Sequence, residues 1–472
     1  MKLALVSLEL NSADPPLGLA YLASYLRKYG NFTNIVIIDK EDPIAALRRE
    51  KPDLVGISAM TYEFPRAKKF AQEVKRTLGI PVILGGHHIS LMPSHFDGSA
   101  FDVAVIGEGE QTLLELLNLF DRRGKFDAAE LRKVKGVEFL NDHGGLELTE
   151  RRPLLEPLDL APFPARDLLK MKEYYVALRK ATLKNFGVYT SMLTSRGCPF
   201  TCVFCSTRLF WQKARFHSAR YVVDEMKELT EKYRLDGIII FDDLFIANRA
   251  RAEEIAKLLK EEGLRDKLRF HIYARANLIN DETCKIMADM GVEATEFGLE
   301  SGSDRVLNFL KAGNVTVADN RKALQLCKKY GFRTIGSLII GSPGETEDDF
   351  RQTMSLVKDP NLDQAHVYQL TPYPGTKIWD IAKQQGIVSD DPGFDLEKIY
   401  LRKIKPEMLL TKEVSKEKFE EWYGLFQAEV AAKRQKSLSV GEFARGLKLK
   451  HLPYLFTPHF ISKVTAHYGL TG

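Results

Sequence analysis

The chain has 472 residues, 28% of them charged, and a formal net charge of +5. This predicts two or three globular domains and gives no electrostatic case for a nucleic-acid partner. No run of about 18 apolar residues occurs, so no membrane span is expected. Five cysteines, only two of them isolated (Cys284 and Cys327), make no disulfide framework and point to a reducing cytoplasm.

The amino terminus, MKLALVSLELNSADPP, has a short apolar run that soon meets Glu9 and Asp14, and it reads as a first strand rather than a signal peptide. Over residues 1–130 the runs KLALVSLEL, NIVIID, DLVGISA, PVILGG and DVAVIGEGE alternate with helix-like stretches such as GLAYLASYLRKYG and PRAKKFAQEVKRTLG. That rhythm predicts a doubly wound α/β sheet with helices on both faces. Ligands of such sheets bind at the carboxyl ends of the strands. Here those ends hold Asn11 to Pro16, Asp39 to Asp42, Ser58 to Glu63, Gly85 to His88 and Gly107 to Glu110. Their glycines let a flat ligand approach the backbone.

Residues 131–185 change character. KGVEFLNDHGGLELTER reads as a hairpin, and EPLDLAPFPARDLL as a proline-spaced linker. Residues 186–385 resume the strand–helix rhythm with VYTSMLTS, GIIIFDD, FHIYAR, ATEFGLES, TIGSLIIGS and QAHVYQLTP. Six strands predict an open (β/α)6 partial barrel, since a closed one needs eight. Residues 386–472 are predicted helical and aromatic-rich, from Trp422 and Tyr423 to HLPYLFTPHFISKVTAHYGL. They read as a packing cap, or as a lid over a substrate.

The stretch SRGCPFTCVFCST places Cys198, Cys202 and Cys205 at spacing C-x3-C-x2-C, just after the first strand of the second domain. Thiolates hold soft metals and iron–sulfur clusters. A structural zinc site wants a fourth ligand, and His217 fits no common zinc spacing. Three thiolates on a four-iron cluster leave one iron open for a substrate or cofactor. Cys284 and Cys327 fall on predicted helices and read as small buried apolar residues.

With Phe204 just before the last cysteine, this pattern resembles the signature of the radical S-adenosylmethionine (SAM) superfamily. Later strand ends fit the same family in order: IIIFDDLF with Asp242 and Asp243, YARAN with Arg275, FGLESGS with Glu300 and Ser301, SLIIGSPGET with Gly341, and YQLTPYPGT with Pro372. The resemblance implies one 4Fe-4S cluster on the three cysteines, with SAM bound by Phe204 and these strand-end residues. A carboxylate suits ribose hydroxyls and an arginine suits a carboxylate. The bland readings are a helix cap for Asp242 and an ion pair between Arg275 and Glu300.

The stretches PPLGLAYLASYLRK, DLVGISAMTYEFPRA, PVILGGHHISLMP and DVAVIGEGEQTLLELL precede it. In that order they resemble the cobalamin-binding radical enzymes, a group that includes class B-type methyltransferases and anaerobic Mg-protoporphyrin ester cyclase-like proteins. The resemblance, over residues 1–380, implies a cobalamin-binding first domain. Its ligand would be met by Asn11 and Pro16, by Ser58, Met60, Thr61 and Tyr62, by Gly85, Gly86, His87 and His88, and by Gly107, Glu108, Gly109 and Glu110. The Asp-x-His-x-x-Gly motif of many corrinoid proteins is absent, because IIDKEDP has Asp39 but no histidine two positions on. Cobalt would then meet the Ser58–Glu63 loop. As a pair, His87 and His88 read as pocket-lining groups, since successive residues do not easily aim at one metal.

The implied activity is transfer of a methyl group from methylcobalamin to an unactivated carbon through a 5′-deoxyadenosyl radical, in an oxygen-sensitive cytoplasmic enzyme. The implied partners are a small-molecule or lipid substrate and a reductant such as flavodoxin or ferredoxin. Cyclisation, oxidation or ring rearrangement with the same cofactors is the rival, and a first domain empty of cobalamin is another.

Overall fold

A computed structural model of the protein describes residues 1–10, 12–174, 188–399 and 404–436. The chain forms two compact units, and neither is one continuous stretch. The first holds residues 1–172, 206–212 and 372–400, and the second the remaining described residues.

The first unit begins with β1 (Leu3–Val6), α1 (Leu17–Gly30), β2 (Ile35–Ile38), α2 (Pro43–Glu50), β3 (Leu54–Ser58) and α3 (Phe64–Leu78). It continues with β4 (Val82–Gly85), α4 (His87–Leu91), β5 (Val103–Val105), α5 (Glu110–Arg123), α6 (Ala128–Leu131), β6 (Val137–Leu140) and β7 (Leu146–Leu148). The sheet order is β2-β1-β3-β4-β5-β6-β7. The first five strands are parallel, and the β6–β7 hairpin extends the sheet antiparallel. The strands are short and nearly all apolar because helices cover both faces; every residue of β1 and β5 is buried.

The second unit opens with β8 (Tyr189–Met192) and β9 (Ser195–Arg196). The short helix α7 (Thr207–Trp211) counts with the first unit, after which β10 (Arg215–Phe216) pairs antiparallel with β9. Then come α8 (Ala219–Tyr233), β11 (Gly237–Ile240), α9 (Arg249–Glu261), β12 (Arg269–Ala274), α10 (Asp281–Met290), β13 (Val292–Glu300), α11 (Asp304–Lys311), α12 (Val317–Lys329), β14 (Arg333–Ile340), α13 (Glu347–Val357) and β15 (Gln364–Gln369). Six strands, ordered β15-β14-β13-β12-β11-β8, all pair in parallel. The sheet is open, as six strands predict. Side-chain caps start its helices: Asn280, Thr316 and Thr346 each close a capping box at α10, α12 and α13.

After β15 the chain returns to the first unit with α14 (Lys377–Gln384), where the sequence had suggested that the second domain runs on to residue 385. The last described element is α15 (Lys416–Lys436). Its Phe419, Trp422 and Phe426 pack on one another and on Phe350 of α13, with ring centroids 5.9–6.2 Å apart. These aromatics pack against a helix of the second unit. The aromatic stretch from Phe443 onward lies outside the described residues. Cys284 and Cys327 are fully buried, on α10 and α12. No helix among the described residues is long and apolar enough to cross a membrane.

Candidate active site

The cysteine loop leaves the carboxyl end of β8 and is closed at its base by the β9–β10 ribbon. Two buried side chains fix that base. Asp242, just past β11, accepts from Thr194 N (2.6 Å), Thr194 Oγ1 (2.5 Å) and Ser195 N (3.0 Å). Arg251 of α9 lies 3.6 Å from the Asp242 carboxylate and donates to Thr194 O (2.7 Å), Thr194 Oγ1 (3.0 Å) and His217 O (3.2 Å). The two strands of the ribbon are thereby tied to the barrel. Asp242 is thus a loop anchor, neither an open ribose acceptor nor a helix cap. Nothing in the sequence singled out Arg251 or Thr194.

Cys198, Cys202 and Cys205 are all half-buried in this loop. Cys205 N donates to Cys202 O across a tight turn (3.1 Å), and Val203 N is held by Leu310 O (3.0 Å). Burial pushes the Cys198 thiol up to about 11, and the neighbouring Asp243, Cys205 and Cys202 add to the shift. The exposed Asp243 therefore stands beside the cysteines while Asp242 does not. Among the described residues no three Cys, His, Asp or Glu side chains form a ready metal-binding group. In this conformation Arg275 Nη1 donates to Cys202 Sγ (3.2 Å), and its guanidinium lies over Phe200, 4.0 Å from the ring centroid.

The other strand ends carry their predicted residues in mixed states. Arg275 does not pair with Glu300. Glu300 is bound instead by Lys311 Nζ at 2.6 Å, and Lys311 also lies 5.9 Å from the Phe204 ring. Glu300 holds a left-handed backbone (φ 57°) at a register shift between β13 and β14. A side chain there costs about 1–2 kcal/mol. Ser301 is fully buried, with its hydroxyl 3.1 Å from Thr353 Oγ1 and accepting from Ser303 N, so it shapes the turn and is closed to a ligand. Gly341 (φ 86°) donates through N to Glu345 Oε2 (2.6 Å), as does Ser342 N (2.8 Å). Burial pushes Glu345 up to about 8, against the opposing pull of the Ser342 and Gly341 N–H groups. Ser342 Oγ and Glu345 Oε1 are buried there without hydrogen-bond partners. Pro372 is buried past the end of β15 and counts with the first unit.

In the first unit the carboxyl edge of the sheet is lined by bare backbone. A Cβ on Gly86 (φ 101°) would lie 2.7 Å from the Ala59 N and O atoms, so only glycine lets β4 and the loop after β3 close up. Gly85 and Gly107 have nothing within 3.7 Å of such a Cβ. That edge fits a broad flat ligand, and Ser58 and Met60 are exposed on it. Other predicted contacts are turned to internal work. Tyr62 donates to Glu9 Oε1 (2.8 Å), Glu108 accepts from Leu155 N (2.8 Å), and Thr61 and Glu110 are buried. Gly109 packs against Leu22, and Pro16 precedes the first turn of α1. Asn11 lies outside the described residues.

The two histidines part ways. His87 stacks on Phe210 of α7, with centroids 3.9 Å apart, and burial lowers it to about 4. His88 is fully buried against Phe64, with Nε2 3.2 Å from His95 Nδ1, and His95 Nε2 lies 3.2 Å from Asp390 O. His88 therefore cannot line a surface pocket, because α4 turns it into the core.

An open parallel half-barrel with a three-cysteine loop at its first strand end, joined to a doubly wound glycine-edged domain, defines a cofactor-dependent radical enzyme. The comparisons agree. The radical SAM superfamily profile matches residues 192–357, and the B12-binding domain profile matches residues 5–117. An uncharacterized methyltransferase of Pyrococcus horikoshii is 34% identical over 79% of this chain and 79% of its own length. The anaerobic magnesium-protoporphyrin IX monomethyl ester cyclase of Rubrivivax gelatinosus is 29% identical over 77% of this chain, which spans 66% of that protein. Among solved structures, the radical SAM methyltransferase TsrM of Kitasatospora setae, with cobalamin and a 4Fe-4S cluster bound, shares the fold at a TM-score of 0.67. That match has 18% identity and covers 94% of this chain and 92% of TsrM. The chain belongs to the cobalamin-binding radical SAM enzymes, whose cofactors are a 4Fe-4S cluster, SAM and cobalamin.

Proposed function

We propose that the protein is a radical C-methyltransferase. The carrying observation is the presence in one chain of a glycine-edged cobalamin-type sheet and the Cys198–Cys202–Cys205 loop, in a family whose 34%-identical member is named a methyltransferase. When bound, the cluster and SAM supply a 5′-deoxyadenosyl radical and cobalamin supplies a transferable methyl group. The chain's own residues hold and shield these groups. Cys198, Cys202 and Cys205 are the cluster ligands, and their half-burial limits water. The Asp242–Arg251 pair fixes the loop base, so cluster assembly has only the loop tip to reorganise. Phe200 and Arg275 support Cys202. The bare backbone at Gly85, Gly86 and Gly107, with Ser58 and Met60, receives the corrin ring. A reductant such as flavodoxin or ferredoxin supplies electrons to the cluster.

The cyclase relative favours a second reading, ring closure or oxidation without methyl transfer. The test is anaerobic reconstitution with iron, sulfide and cobalamin, followed by incubation with SAM and dithionite. About four irons and one cobalt per chain, with both 5′-deoxyadenosine and S-adenosylhomocysteine formed, supports methyl transfer. Cobalt retention with 5′-deoxyadenosine but no S-adenosylhomocysteine supports the second reading. Iron without cobalt removes both.

A further inference from the structure

The inner face of the six-stranded sheet carries polar and aromatic side chains that no cofactor role above uses. Strands buried on both faces read as unbroken apolar runs. Here β12 to β15 alternate instead. Phe270, Ile272, Phe297, Leu338, Ile340 and Val367 are buried on one face. His271, Tyr273, Glu296, Ser337, His366 and Tyr368 occupy the alternate positions. The register sets Tyr273 opposite Glu296 and Ser337 opposite His366.

Glu296 is the centre of this row. His271 Nε2 lies 3.5 Å from its Oε2, and Ser337 Oγ donates to its Oε1 at 3.2 Å. Burial alone would raise the Glu296 carboxyl, but the adjacent His271, with His366 and Ser337, holds it below its ordinary value. His271 is buried, and neither of its ring nitrogens has a hydrogen-bond partner. Flat rings flank the carboxylate. Phe241 and Tyr273 stack at 5.6 Å, and Tyr273 and His271 at 5.4 Å. The face is open: the Glu296 side chain is 18% exposed and Tyr368 is 51% exposed. The same face carries arginine only at the strand starts, Arg269 on β12 and Arg333 on β14, and Arg269 is paired with Glu293 (3.3 Å).

We propose that this row is a substrate-binding face that takes a flat, uncharged molecule through a hydroxyl or N–H donated to Glu296, and discriminates against carboxylate-bearing analogues. A half-buried carboxylate repels a second one, whereas a neutral donor completes the hydrogen-bonding of Glu296. The rings give the apolar body two stacking surfaces. Calling the occupant a substrate rests on the proposed function, whereas the binding preference does not.

The test uses the reconstituted holoenzyme and two probes of one shape, 2-naphthol and 2-naphthoate, in anaerobic equilibrium dialysis at pH 7. The expected result is at least tenfold tighter binding of naphthol. Glu296→Gln should cut that ratio by tenfold or more, because the amide keeps the shape and removes the charge. Tyr368→Ala, at an exposed position, should weaken both probes by a similar factor. Equal affinity for the probes, no saturable binding of naphthol, or an unchanged ratio in Glu296→Gln would overturn the proposal. Wild-type 5′-deoxyadenosine formation is measured on the same preparation. Its absence would refute the proposed function and leave the binding result standing.

Discussion

Replacing Asp242 separates two roles for this residue, holding the cysteine loop and binding SAM. In the structure one carboxylate oxygen accepts from two backbone N–H groups, and the other accepts the Thr194 hydroxyl and faces Arg251. Asp242→Ala strands those donors and leaves the Arg251 charge buried without its carboxylate. Removing one partner of a buried pair costs about 3–5 kcal/mol. At about 2–4 °C per kcal/mol for a unit of this size, the thermal midpoint of the second unit should fall by roughly 6–20 °C. Asp242→Asn keeps the oxygen that serves both backbone groups, so its loss should be smaller, about 1–3 kcal/mol. Anaerobic calorimetry reads the midpoint, and equilibrium dialysis with SAM reads the ligand. A variant with an unchanged midpoint but tenfold weaker SAM binding would show that Asp242 serves the ligand, and the anchoring argument would fail.

Other outcomes follow from the same geometry. His88 is lowered to about 3 by burial and the adjacent His95, so the unfolded chain binds more protons than the folded one between pH 6.5 and about 3. Stability should therefore fall as pH drops through that window, and His88→Gln should shallow the slope by about 1.4 kcal/mol per pH unit, checked by urea titration at several pH values. Glu345 is raised, so the sign reverses: its folded form keeps a proton that the unfolded chain loses above pH 4.5, and stability is lost as pH rises towards 8. Glu345→Gln should be more stable than wild type at pH 8 and little changed at pH 5 in the same titrations. Gly86→Ala should abolish soluble first-unit structure or lower its midpoint sharply, since the new methyl meets Ala59 backbone at 2.7 Å; circular dichroism against a Gly18→Ala control, an exposed helical position where nothing lies within 4 Å, decides this.

The strand–helix rhythm was legible because the first unit's parallel strands, buried on both faces, are short apolar runs, and all six strands of the half-barrel fall on the predicted stretches although β12 to β15 alternate. The cysteines were legible because no packing need places three thiols in eight residues. What escaped was anything set by pairing across the chain. IIIFDD cannot say that Asp242 turns inward to Thr194 while Asp243 stays out. Adjacent His87 and His88 look equivalent, yet a helix start sends one to Phe210 and the other into the core. Glu300 pairs with Lys311, eleven residues on, and not with the strand-end arginine. The inner-face row did leave a trace, the polar residues at alternate positions in FHIYA and ATEF. A period-two pattern of this kind marks a strand with one face away from the apolar core.

The discontinuous first unit has a consequence for how the protein is made. His95 bonds to Asp390 and His87 stacks on Phe210, so the amino-terminal sheet finishes packing only with chain that emerges much later. At about 5–20 residues per second, the ribosome delivers residue 400 roughly 11 to 46 seconds after residue 172. During that interval His87 and the amino-terminal surfaces await their covers, and most of the second unit is synthesised before the first is complete. Splitting the gene at the apparent domain boundary would therefore yield an incomplete amino-terminal fragment, and chaperone demand should be greatest at that nascent stage.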